Sequence, residues 1–294
     1  MTTVEVFAPA KINLTLHVTG KKDGYHLLDS LVVFAKDIGD EVSVSNAETF
    51  SLSVTGPLAA GVPTDESNLV LKAARFMQKW RAPDRFAEIS LVKNLPHGAG
   101  IGGGSADAGA VLRGLGKLWG TKLFSGHMAF ELGSDVPVCL LAPKPCRMTF
   151  RGAAWPVRDL PSFWLVLANP GVHVPTAEVF KRFSENFPVE NEPMEEMPFP
   201  FEFDVLVEWL RRQRNDLTQV MDGFCPSVLV CRDALAGQDG CLKADMSGSG
   251  GTCWGIFKTE GEAKLAEANL SASYPDWWVK QTAVEAFRRY YRGA

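Results

Sequence analysis

Leu95-Pro96-His97-Gly98-Ala99-Gly100-Ile101-Gly102-Gly103-Gly104-Ser105-Ala106-Asp107 places five glycines in the seven positions from Gly98 to Gly104, then runs into a helix-forming segment, Ala106–Trp119. Glycine lets the backbone turn tightly and brings its N–H groups close to a ligand. A helix that opens directly after such a turn presents unpaired N–H groups and the positive end of its dipole, a ready site for an anion. Three readings fit the stretch. A ligand-free turn would spend folding entropy on glycines that it does not need. A dinucleotide crossover would use Gly98-x-Gly100-x-x-Gly103, but the acidic residue expected about 20 positions on is absent from Gly120–Ser125. A nucleoside triphosphate loop would have to borrow its cation from elsewhere, because no G-x4-G-K-[ST] pattern is present. A second cluster, Ser247-Gly248-Ser249-Gly250-Gly251-Thr252, falls between two expected strands. It reads either as a hairpin turn or as a second wall of the same site.

Around these loops the chain is ordinary for a globular protein. It has 294 residues, 46% of them hydrophobic, with 30 Lys+Arg against 34 Asp+Glu and a formal net charge of −4. The length fits two domains. The acidic balance argues against nucleic acid as a partner, because phosphate contacts need a basic face. No polybasic cluster or apolar run of about 18 residues is present, so no membrane role is expected. The six cysteines form no C-x-x-C pair or zinc spacing, and Met1–Glu5 does not open a signal peptide. A reduced cytoplasmic protein is expected.

Strands are predicted at Val4–Phe7, Ile12–Thr19, Leu31–Phe34, Glu41–Ser45, Phe50–Val54 and Phe86–Val92. Helices are predicted from an N-cap at Ser67 through about Trp80, from about Ser105 to Trp119, and at Gly126–Leu132. The four prolines of Pro143–Pro161 place a domain boundary near residue 157. Beyond it come a strand at Trp164–Ala168, an acidic surface loop at Glu190–Pro200, and helices at Asp204–Arg212, Asp216–Met221, Ser227–Leu235 and Glu260–Leu270. Strands at Cys241–Met246, Thr252–Phe257 and Trp277–Gln281 make the second half α+β. Ser105 is expected to cap its own helix.

Two charged residues stand out in apolar surroundings. Lys11, between Ala10 and Ile12, must find a partner or a path to water. Asp135 precedes the apolar run Val136–Leu141, where a carboxylate can accept a proton.

Together Ala8-Pro9-Ala10-Lys11-Ile12-Asn13-Leu14, the loop Pro96–Asp107, Leu132-Gly133-Ser134-Asp135-Val136-Pro137 and Ser247–Thr252 resemble the GHMP kinases, which phosphorylate small-molecule alcohols with ATP. Asp23-Gly24-Tyr25-His26, Pro175-Thr176…Phe180-Lys181 and Arg214-Asn215-Asp216-Leu217 resemble the members whose substrate carries cytidine diphosphate. The likeness spans nearly the whole chain. It departs at Ala106-Asp107-Ala108-Gly109, where the family usually has Ser and then Asn/Asp-Ala-Ala.

The resemblance implies an α+β fold of two domains, 1–157 and 158–294. The first would be like ribosomal protein S5 and the second ferredoxin-like, with the active site in the cleft between. It implies ATP and Mg²⁺, with metal ligands unassigned, and phosphorylation of the 2-hydroxyl of a cytidine-diphosphate-linked methylerythritol on the non-mevalonate route to isoprenoids. Lys11 and Asp135 would be catalytic. Pro96, Gly98, Ala99, Gly100, Ile101, Gly102, Gly103, Gly104, Ser105 and Ala106 would hold ATP. Asn13, Tyr25, His26, Thr176, Phe180, Lys181, Gly248, Ser249 and Gly250 would hold the substrate. A monomer or weak homodimer is expected.

Overall fold

The computed structural model describes residues 2–150, 152–199 and 202–287. Its first half is built on one sheet. The strands are β1 (Thr3–Asn13), β2 (His17–Lys22), β3 (Tyr25–Ala47), β4 (Ser51–Thr55), β5 (Phe86–Val92), β6 (Cys146–Phe150) and β7 (Ala153–Pro156). The order is β4-β5-β3-β6-β7, with β1 and β2 also paired to β3. Helices α1 (Leu69–Arg81) and α2 (Gly103–Trp119) cover one face, followed by α3 (Gly126–Ala129), a single 3₁₀ turn at Phe130–Leu132 and α4 (Val136–Leu140).

The second half holds β8 (Phe163–Asn169), α5 (Thr176–Asn186), α6 (Phe203–Arg212), a 3₁₀ turn at Asp216–Val220, α7 (Met221–Phe224), α8 (Pro226–Ala236), β9 (Lys243–Met246), β10 (Cys253–Phe257), α9 (Glu260–Ser273) and β11 (Trp278–Val284). Its sheet runs β11-β8-β10-β9, all antiparallel. Taken as strands one to four, that is the order 4-1-3-2, with helices after the first and third, a ferredoxin-like arrangement. Among the described residues no helix is long and apolar enough to cross a membrane.

Strand β3 explains how the halves join. Its run Leu31–Ala35 is buried without interruption, as in a strand covered on both faces. Leu31, Val33 and Ala35 pack with Leu165, Leu167, Trp209, Trp254 and Ile256 of the second half. Val32 and Phe34 pack the other way, on Val138, Cys146 and Met148. The two halves therefore share a hydrophobic core, and fully burying one large apolar side chain contributes about 1.5–3 kcal/mol. A contact of this kind restrains relative motion of the halves.

Several expectations are corrected. Leu31–Phe34 and Glu41–Ser45 belong to one strand, because β3 carries an irregularity near Ile38 rather than a turn. The Pro143–Pro161 stretch holds β6 and β7, where Cys146 and Met148 alternate inward despite the flanking prolines. Asn68, not Ser67, caps α1: its side chain accepts from the N–H of Val70, while Ser67 bonds Asp65. Ser105 does not cap α2, which begins at Gly103 behind a left-handed Gly102. The loop at 190–199 is not merely surface. Met194 is buried, and its N–H donates to Asp29 at 3.1 Å; Pro200 lies outside the described residues. The dinucleotide reading loses its frame, because α2 leads on to β6, which pairs antiparallel with β3 and not beside β5.

Candidate active site

A cleft of about 1020 Å³ lies where the halves meet, walled by Lys11, Asn13, Tyr25, His26, Lys93, the loop Pro96–Ser105, Asp135, Thr176, Phe180, Lys181, Gly248 and Ser249, among others. Lys11 reaches it through a break in register. The pairing of β1 with β3 shifts between Pro9 and Lys11, and such bulges re-aim side chains. Only 3% exposed, Lys11 donates from Nζ to Asn13 Oδ1 and to Asp135 Oδ2, both at 2.9 Å. Asp135 stands at the start of α4 after Gly133, whose φ of 155° favours glycine. Its side chain makes no cap bond, so it is turned to Lys11 instead. Behind the pair, burial pushes the Cys139 and Cys146 thiols up, leaving them inert neighbours.

The glycine loop is aimed at the same place. Gly98, Gly100 and Gly102 have φ of 58°, 73° and 66°. A Cβ on Gly102 would lie 3.1 Å from Lys11 Cε, so the loop passes directly over the ion pair. Gly102 offers no side-chain cap to α2, and a Cβ on Gly104 would meet nothing within 4 Å. The first N–H groups of α2 thus open on space fit for an anion.

Both readings of the second cluster hold. Ser247–Thr252 turns between β9 and β10, and it also dovetails with the first loop. Thr252 N–H donates to Ala99 O at 2.9 Å, and Ser247 Oγ to Gly100 O at 3.0 Å. A Cβ on Gly100 would sit 2.4 Å from Ser247 O, so only glycine permits the approach.

At the far end, the His26 ring stacks on Phe180 with centroids 4.8 Å apart. Tyr25 is 55% exposed and meets Phe130 edge-on. Thr176 Oγ1 and Ser249 Oγ are 2.8 Å apart. Asn13 is less available than its neighbours: its Nδ2 donates to Ser30 and its Oδ1 holds Lys11. All the site residues expected from the sequence lie along this cleft or in the loops that form its walls, with Ile101, Ala106 and Gly250 packed just behind the lining.

Sequence reasoning missed a buried cluster beneath Gly103. Lys93 Nζ contacts Asp40 Oδ2, and Asp107 Oδ2 at 2.8 Å, with all three nearly inaccessible. Burial raises Asp107 to about 7, against the pull of Lys93 and with the help of Asp40. Lys93 is drawn down by burial, but the two carboxylates outweigh this and its net shift is upward. The one sequence signal was a lysine closing an apolar strand.

The family model for the GHMP kinases N terminal domain matches residues 68–142, and that for the GHMP kinases C terminal matches residues 202–276. The chain is a GHMP kinase. It is 49% identical over 280 residues to a 4-diphosphocytidyl-2-C-methyl-D-erythritol kinase of Cereibacter sphaeroides, covering 94% of this chain and 97% of that one. A protein of the same name from Ruegeria pomeroyi is 49% identical over 286 residues, covering 96% and 99%. Among solved structures, a 4-(cytidine 5'-diphospho)-2C-methyl-D-erythritol kinase superposes with a TM-score of 0.73 at 28% identity, covering 96% of this chain and all of that one. In this GHMP kinase the glycine loop thus belongs to a phosphotransferase.

Proposed function

We infer that this kinase transfers the γ-phosphoryl group of ATP to the 2-hydroxyl of 4-diphosphocytidyl-2-C-methyl-D-erythritol, a step of the non-mevalonate route to isoprenoid precursors. The observation that carries the chemistry is the Lys11–Asp135 pair lying directly under Gly102. Near full-length identity to kinases of that name supports the substrate.

Phosphoryl transfer asks mainly for positioning and charge stabilisation. The glycine loop and the start of α2 hold the ATP phosphates. Asp135 orients the substrate hydroxyl and takes its proton as the oxygen–phosphorus bond forms and ADP leaves. Lys11, fixed by Asn13, keeps Asp135 in place and offsets charge on the transferring group. Tyr25 and Phe180 hold the cytosine ring, with His26 at its edge. Thr176, Lys181 and the Gly248–Gly250 turn hold the diphosphate side.

Among the described residues no group of three or more His, Cys, Asp or Glu could hold a metal unaided. Mg²⁺ characteristically needs only one or two protein oxygens besides phosphates and water. The hydroxyl oxygen of Ser105 at the cleft fits that demand. Ser105 would help to hold Mg²⁺ there, which would supply charge neutralisation for the phosphates.

The enzyme acts in the cytoplasm as two domains divided near residue 157, as a monomer or weak homodimer, and not on nucleic acid. Six free thiols agree with a reducing compartment. ADP release measured with the cytidine compound, homoserine and mevalonate tests the reading. It should be fast only with the first; preference for either of the others would overturn it.

A further inference from the structure

His26 and Ser184 are 158 residues apart, yet the imidazole Nε2 lies 2.6 Å from Ser184 Oγ. The serine sits on α5 one turn after Phe180, and its hydroxyl donates to the Phe180 carbonyl at 3.0 Å. Such bonds to the carbonyl four residues back are common for serine within a helix. A hydroxyl has one proton and two lone pairs. With the proton given to Phe180 O, Ser184 Oγ can only accept from His26, so Nε2 must carry hydrogen. A neutral imidazole has one N–H, which leaves Nδ1 as a bare acceptor. Nδ1 makes no hydrogen bond among the described residues. Burial and then Lys21 both push the ring's pKa down, which favours the neutral form.

We propose that Ser184 is a positioning residue for base selection: it locks His26 in the Nε2–H tautomer, so that the cleft offers an acceptor to the pyrimidine edge. Cytosine presents an amino donor at its 4-position, whereas uracil presents a carbonyl acceptor. An Nδ1 lone pair welcomes the first and repels the second, leaving a buried polar group unpaired. Ser184 touches neither base nor phosphate in this account. It acts through the ring, while the stack of His26 on Phe180 keeps the imidazole plane in place. The inference rests on the cytidine reading of the cleft.

The test compares wild type, Ser184→Ala and Ser184→Thr by the affinities of CDP and UDP in calorimetry and by the ¹⁵N shifts of the His26 ring. Wild type should bind CDP more tightly and show the Nε2–H tautomer. Ser184→Ala should mix the tautomers and shrink the CDP/UDP ratio about five- to tenfold, the worth of one hydrogen bond. In turnover its loss should fall on KM for the cytidine substrate, with kcat and KM for ATP holding. Ser184→Thr keeps a hydroxyl and should restore both the ratio and the tautomer. If wild type shows no preference for CDP, the cytidine reading itself fails and takes this one with it. If wild type prefers CDP but Ser184→Ala keeps the full ratio, or the wild-type ring carries its proton on Nδ1, only the role of Ser184 is overturned.

Discussion

At Asp135 one carboxylate oxygen is held by Lys11 at 2.9 Å, while the side chain remains 31% exposed to the cleft. This arrangement turns the rest of the carboxylate toward the cleft. Asp135→Asn should therefore bind both substrates and lose turnover, by about 10²–10⁴-fold in kcat if general-base assistance is removed. Lys11→Ala should also act on kcat more than on KM; a pure KM effect would reduce Lys11 to a binding residue. Asp107 gives a separate signature. Its pKa is 3.8 when exposed and about 7 in the folded chain, where burial favours the neutral acid. Between those values the folded chain holds a proton that the unfolded chain has released. Stability from this group is thus full below about pH 4 and lost as pH rises through about 7. Asp107→Asn, which stays neutral, should gain in melting temperature relative to wild type between pH 5 and pH 8. Parallel pH profiles for the two proteins would contradict this.

Among the elements, the glycine loop separates two kinds of requirement. Gly102 is left-handed and abuts Lys11, so Gly102→Ala meets backbone strain of about 1–2 kcal/mol and displaces the lysine. It should lower stability and kcat together. Gly104 has ordinary φ and open space, so Gly104→Val should leave the melting temperature near wild type. Its side chain would stand where phosphates approach, and KM for ATP should rise. Equal ATP affinity in Gly104→Val would remove the loop from nucleotide binding. The loop and α2 were legible because their signal is local: glycine spacing, then helix-forming residues. The beginning of α2 is not legible in the sequence, since a helix entered through a left-handed glycine needs no serine cap. Strands β6 and β7 were hidden because four nearby prolines outweighed a short inward alternation. The Asp40–Lys93–Asp107 cluster was invisible in the sequence. It exists because Glu41 pairs with Val92 across β3 and β5, and because α2 lies over them.

For the whole molecule, two dovetailed glycine turns and a shared core fix one cleft whose ends differ in chemistry. One end offers helix N–H groups and an ion pair, the other aromatic rings and the His26 imidazole. This order matches a donor rich in phosphate and an acceptor that carries a base. The family could be read from four separated segments, because each supplies one wall. How those walls meet could not, since it depends on residues such as Ser247 against Gly100, 147 positions apart. The most direct test is phosphorus NMR of the protein incubated with ATP, Mg²⁺ and 4-diphosphocytidyl-2-C-methyl-D-erythritol. A new phosphomonoester on the 2-oxygen, formed one for one with ADP while the cytidine diphosphate linkage stays intact, is the predicted result. ADP without that monoester, or a phosphate on another oxygen, would contradict it.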